Sequence, residues 1–192
     1  MPTARPAFLT LSALILTASV GRAQSTIEWA SPGDGDFGVA GNWLPAVVPG
    51  EMDTAVRGGS GAYTVRTAAR SVGLLALANP DAVVAIEPGE VLTIGGASGL
   101  GTILVNADQS SDNSGLELLG GSQFAARITL NSTPDSRSFG DAYLLGSRSA
   151  SVPTIATNGV VTGRGRVFYG LRNNGTIEAV GHSGIIQFSS AS

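Results

Sequence analysis

Past residue 24, no twelve-residue window carries an apolar period near 3.6 that is free of Gly or Pro. What recurs is a β-rich run of a few residues, closed by a turn former. Such runs fall at residues 62–65, 72–77, 83–86, 91–94, 102–105, 116–119, 124–130 and 142–145. They continue at 154–155, 160–161, 167–169, 176–179 and 185–188. Asn79-Pro80-Asp81, Glu87-Pro88-Gly89, Asn113-Ser114-Gly115, Asn158-Gly159 and Asn174-Gly175 stand between them. This punctuation predicts an all-β fold of short strands, with almost no helix. Composition agrees. The chain of 192 residues has Gly 27 and 13% charged residues, against about 7% Gly and about 25% charged in an ordinary domain.

One internal repeat narrows the architecture. Val91-Leu92-Thr93-Ile94-Gly95-Gly96 aligns with Leu116-Glu117-Leu118-Leu119-Gly120-Gly121, an offset of 25 residues between Val91 and Leu116. A period of roughly 20 to 30 residues belongs to solenoids. Stacked coils of a parallel β-helix need short strands, Gly and Asn at bends, and few charges. Val91, Thr93, Leu116 and Leu118, or their alternates one residue on, are then expected to point inward. A β-sandwich with Gly-rich turns is the alternative.

Residues 1–23 have the order of a secretory signal peptide: Arg5, then the apolar stretch 7–18, then Gly21 and Ala23 ahead of Gln24. That stretch is shorter than the roughly 20 residues a membrane-spanning helix needs. The mature chain is expected to start at Gln24, to be secreted or held at the cell surface, and to keep no stable membrane span after cleavage. With Cys 0, disulfides, thiolate metal sites and Cys nucleophiles are excluded. The 11 basic residues are all Arg, so Lys chemistry is excluded too. A net charge of −3 argues against nucleic acid.

The segment 29–65 carries Trp29, Gly35-Asp36-Phe37, Asn42-Trp43, Val48-Pro49, Asp53-Thr54-Ala55-Val56 and Tyr63-Thr64-Val65. This resembles the start of secreted bacterial proteins with autotransporter-associated β-strand repeats or sorting tails. Thr162-Gly163-Arg164-Gly165-Arg166-Val167 and Asn173-Asn174-Gly175-Thr176-Ile177-Glu178-Ala179 resemble the coil signature of the same proteins. The resemblance implies an extracellular right-handed parallel β-helix without catalytic residues. The implied organisation is a signal peptide at 1–23, an N-terminal capping module at 24–60 and β-helix coils at 61–192. The stack reads as incomplete at the C-terminus, because Ile185-Ile186-Gln187-Phe188 is uncharged, β-prone and followed only by Ser189-Ser190-Ala191-Ser192. End-to-end self-association through that strand is expected.

The candidate site residues are Trp29, Phe37 and Trp43, large apolar groups in a stretch with few others. They are read either as a plug over the open end of a stacked core or as stacking faces for sugar rings. No catalytic, metal or cofactor residues are assigned. Thr93-Ile94-Gly95-Gly96-Ala97-Ser98-Gly99-Leu100-Gly101 looks like a dinucleotide-binding turn, but a β-rich run follows where a helix must start, so it reads as a coil bend. Gly181-His182-Ser183-Gly184 lacks the last Gly of a nucleophile elbow. Asp34, Asp36, Asp108 and Asp112 lack calcium-loop spacing. Arg164, Arg166 and Arg172 read as a solvated edge. Glu87, Glu90 and Glu117 occupy different coil positions, so they do not make the paired carboxylates of a glycosidase. The expectation is a non-enzymatic structural, adhesive or surface-display protein whose partner is a surface or matrix polysaccharide or protein. A carbohydrate-binding or lyase- or hydrolase-like β-helix fragment is the alternative.

Overall fold

A computed structural model describes residues 24–107, 113–132, 142–146, 151–168 and 170–180, with the backbone alone of 186–189. The segment 1–23, Asp108, Asp112, His182, Ser183 and the side chain of Phe188 lie outside the described residues.

The chain is all-β, and the 18 strands among the described residues belong to one mostly parallel sheet that does not close on itself. It begins with β1 (Thr26–Trp29), β2 (Gly35–Asp36), a single 3-10 turn at Ala40–Asn42 and β3 (Trp43–Leu44). Next come β4 (Thr54–Val56), β5 (Tyr63–Thr67), β6 (Arg70–Val72), β7 (Leu74–Leu77), β8 (Ala82–Ile86) and β9 (Val91–Ile94). The middle holds β10 (Ala97–Asn106), β11 (Ser114–Leu118), β12 (Gln123–Asn131) and β13 (Ala142–Leu145). The last are β14 (Thr154–Ile155), β15 (Val160–Phe168), β16 (Arg172–Asn173), β17 (Thr176–Ala179) and β18 (Ile186–Ser189).

Pairing sorts these strands into three ladders. The first runs β1, β4, β7, the start of β10, the start of β12, β14 and β16. The second runs β2, β5, β8, the end of β10, the end of β12, the start of β15 and β17. The third runs β6, β9, β11, β13, the end of β15 and β18. Every step is parallel. Among the described residues, the one antiparallel pair is β1 with β3, which lays a reversed strand along the first edge of the first ladder. A sandwich of antiparallel strands does not describe this pairing.

The inward side chains form columns. Val65, Val84, Ile103, Ile128 and Val161 stand in register along the second ladder, all buried, with Ile177 partly buried beyond them. Ile27, Ala55, Leu75, Ala97, Phe124 and Ile155 do the same along the first, with Ala set between larger residues. Burying each Val, Leu or Ile fully contributes about 1.5–3 kcal/mol. The columns therefore supply most of what a chain without disulfides has available.

Several expected boundaries move. The run 72–77 divides at Gly73, where an added Cβ would meet the backbone oxygens of Glu51 and Asp53 at 2.7 and 2.8 Å. The run 160–161 and the first two residues of the run 167–169 join as β15, which turns from the second ladder into the third near Gly163, at φ 110°. The Gly-rich stretch 95–101 also enters a strand. β10 runs through it with Gly99 at φ 108°, and the register to β12 shifts between Ser98 and Thr102. The expected repeat register fails as well. Leu92 and Ile94 face Leu116 and Leu118, so Thr93 and Glu117 pair at a separation of 24 residues. Leu116 and Leu118 point inward as expected, whereas Val91 and Thr93 face outward. The Gly-Gly pairs that suggested 25 are not stacked partners.

Candidate functional site: an N-terminal aromatic cluster and an outer-face patch

The three aromatics singled out from the sequence come together at the N-terminal end of the ladders. Trp29 and Trp43 are cross-strand partners in the antiparallel β1–β3 pair. Their rings meet edge to face at 5.0 Å between centroids, and Phe37 meets Trp43 at 4.7 Å. The Trp43 indole N–H donates to the Phe37 carbonyl at 2.8 Å. Their exposures are 8% for Trp29, 0% for Phe37 and 2% for Trp43. Rings so covered offer no open face for a sugar to stack on.

Two residues complete this cluster without having stood out in the sequence. Tyr63 lies parallel to Trp29 at 6.5 Å and donates its hydroxyl to the Gly58 carbonyl at 2.6 Å. Arg57 is 0% exposed, its guanidinium carbon 4.3 Å from the Trp29 ring centre, 5.4 Å from that of Tyr63 and 5.5 Å from that of Trp43. None of its side-chain nitrogens has a hydrogen-bond partner. Burial lowers its pKa to about 10, a fall partly offset by the Tyr63 hydroxyl. It stays charged at neutral pH, held by ring faces rather than by a carboxylate. The signal for it was period two: Asp53, Ala55 and Arg57 alternate inward along and beside β4.

The acidic candidates scatter. Asp34 accepts from the Thr64 amide at 2.6 Å, Asp36 from the Gly38 amide at 2.5 Å and Asp53 from the Gly50 amide at 2.8 Å. Glu90 accepts from the Ala69 amide at 2.6 Å, and Glu87 lies 3.6 Å from Arg66. These carboxylates stabilise turns and strand ends. Among the described residues, no three His, Cys, Asp or Glu side chains gather as a metal ion would require. No described helix is long and apolar enough to cross a membrane.

Glu117 is placed differently. It stands on the outer face of the third ladder and accepts the Thr93 hydroxyl at 3.0 Å. Two outward rows run side by side there. One contains Gly115, Tyr143 and Arg166, the other Thr93, Glu117, Leu145 and Phe168. The Tyr143 ring lies across the neighbouring strand, since a Cβ on Gly115 would fall 2.0 Å from Cε2 and 2.2 Å from Cζ of that ring. Phe168 meets Tyr143 at 6.1 Å and 74°. Burial and the Glu117 carboxylate raise the Tyr143 pKa. Sequence reasoning missed this patch. Its one signal was a Gly inside a strand, a mark of close approach by another group.

No family model matches the chain, and no curated protein or solved structure is similar to it.

Proposed function

We propose that this chain is a non-enzymatic extracellular structural or surface-display protein, built as a right-handed parallel β-helix. The observation that carries this reading is the set of three parallel ladders with in-register apolar columns between them. A stack of that kind holds outward side chains at a fixed spacing of about 4.8 Å from coil to coil. Such an array suits passive display to a surface, a matrix or a partner. Right-handedness follows the strong preference of parallel crossover connections. The aromatic cluster with its reversed strand β3 serves as the N-terminal cap. The resemblance of segment 29–65 to secreted proteins with autotransporter-associated repeats supports the same assignment, as does the signal-like order of residues 1–23.

The test is localisation with processing. Protein recovered from the surface or medium of the producing cells should begin at Gln24, and protease added to intact cells should remove it. Material found only inside cells, with Met1 retained, would refute export. The carbohydrate-binding alternative is favoured by one observation, the outer-face patch around Tyr143.

A further inference from the structure

We propose that Tyr143, Phe168 and Glu117 form a platform that binds a neutral hexopyranose chain. The proposal rests on the display reading for its setting, and on the outer face of the third ladder for its chemistry.

Tyr143 is half-buried because it leans back over Gly115 and fills the place where a side chain would stand. This fixes the ring at low entropic cost, as a binding surface requires. Phe168, also half-buried, adds a second ring edge to face at 6.1 Å. Aromatic surface of this kind suits the C–H face of a pyranose, which is apolar while its rim is polar.

The rim needs acceptors and donors. Glu117 supplies two carboxylate oxygens, only one of which takes the Thr93 hydroxyl. The remaining lone pairs suit a pair of sugar hydroxyls, as a carboxylate accepts at about four sites. Thr93 in turn fixes the carboxylate beside the ring.

Charge selects the class of sugar. The ring leans toward the strand that carries Glu117 and away from the strand that carries Arg166. A uronate or sulfate seated on the ring would therefore face a carboxylate, and like charges repel. A neutral chain carries no such cost. One carboxylate without a second beside it gives no glycosidase pair, so the expected outcome is binding without cleavage.

The test uses the full mature chain on an array of neutral hexose oligosaccharides, printed beside uronic-acid and sulfated ones, followed by calorimetry on the best ligand. Binding of a neutral oligosaccharide is expected. Tyr143→Ala should weaken it by about tenfold or more, and Tyr143→Phe should keep it within about threefold, because the ring remains. Glu117→Gln should weaken it less than Tyr143→Ala. Gly115→Ala leaves every proposed contact residue in place but displaces the ring, and should weaken binding too. Circular dichroism and the urea midpoint establish that each variant is folded. Should Tyr143→Ala fail to fold, Gly115→Ala decides the matter. No neutral ligand, binding to charged sugars alone, or neutral binding unchanged in a folded Tyr143→Ala or Gly115→Ala would each overturn the proposal. Exported protein with no glycan binding would overturn this site and leave the display reading standing.

Discussion

Arg57 is charged at neutral pH and has no exposed surface. Its three aromatic neighbours compensate the faces of the guanidinium but not the N–H groups at its edge. Because burial lowers its pKa to about 10, the unfolded chain holds this proton more tightly than the native one. The resulting penalty is present in full below about pH 10 and is relieved as pH rises above it. Arg57→Met, which keeps the volume and removes the charge, should therefore raise stability at pH 7 by about 1–4 kcal/mol. Urea unfolding checks this, with an increased midpoint and an unchanged slope. A lowered midpoint would mean that the ring contacts outweigh desolvation. Trp43 behaves in the opposite sense. It is buried against Phe37 and Trp29, so Trp43→Ala should cost about 3–5 kcal/mol. A loss below about 1 kcal/mol would show that the cluster does not support the core.

At the scale of the element, the tyrosine on β13 and the glycines that bend long strands can both be tested. Tyr143 has a raised pKa, so its ionisation should occur above pH 10. Stability from keeping it neutral is complete below pH 10 and is lost as pH rises through the raised value. Difference absorbance of tyrosinate should show a late-titrating ring that Tyr143→Phe removes, and Glu117→Gln should bring it back toward 10. Gly163 sits at φ 110°, and a Cβ there would fall 2.0 Å from the Leu130 carbonyl oxygen. Gly163→Ala should cost more than about 1 kcal/mol, measured by the same urea unfolding. Much of this level was legible in the sequence. The strands Val91–Ile94, Ala142–Leu145, Thr154–Ile155 and Thr176–Ala179 fall where β-rich runs between turn formers placed them. β1 to β4 were not legible, because none of them lies in a β-rich run bounded by turn formers. Stacking register was misread because the spacing between partners is not constant. Asn106 meets Asn131 at 25 residues, Thr93 meets Glu117 at 24 and Thr129 meets Thr162 at 33. Extra residues such as Gly99-Leu100-Gly101 are absorbed within a strand, so an alignment of repeats finds the recurrence but not its phase. The Tyr143 patch stayed hidden for the same reason, since only the true register brings Gly115 beside Tyr143.

For the whole molecule, the two ends of the ladders differ. At the start, β3 runs antiparallel along β1 and covers that edge. At the other end β16, β17 and β18 each pair on one side only among the described residues, with β14, β15 and β15. Strand edges of this kind recruit further strands. Copies that pair through these three edges meet tail to tail about a two-fold axis. Light scattering across a concentration series should then show monomer passing to dimer and stopping there, and Ile177→Lys on β17 should hold the chain as monomer. Growth to filaments would show that the N-terminal end is open as well. The connections from the second ladder to the third have a separate consequence. From Thr67 to Arg70 two residues suffice, from Ile86 to Val91 four, and from Asn131 to Ala142 ten, while the inward columns on either side keep their register. Length added at this corner leaves the apolar interior untouched. The corner is thus the natural place to graft a foreign peptide, and a tag spliced there would leave the in-register columns as they are.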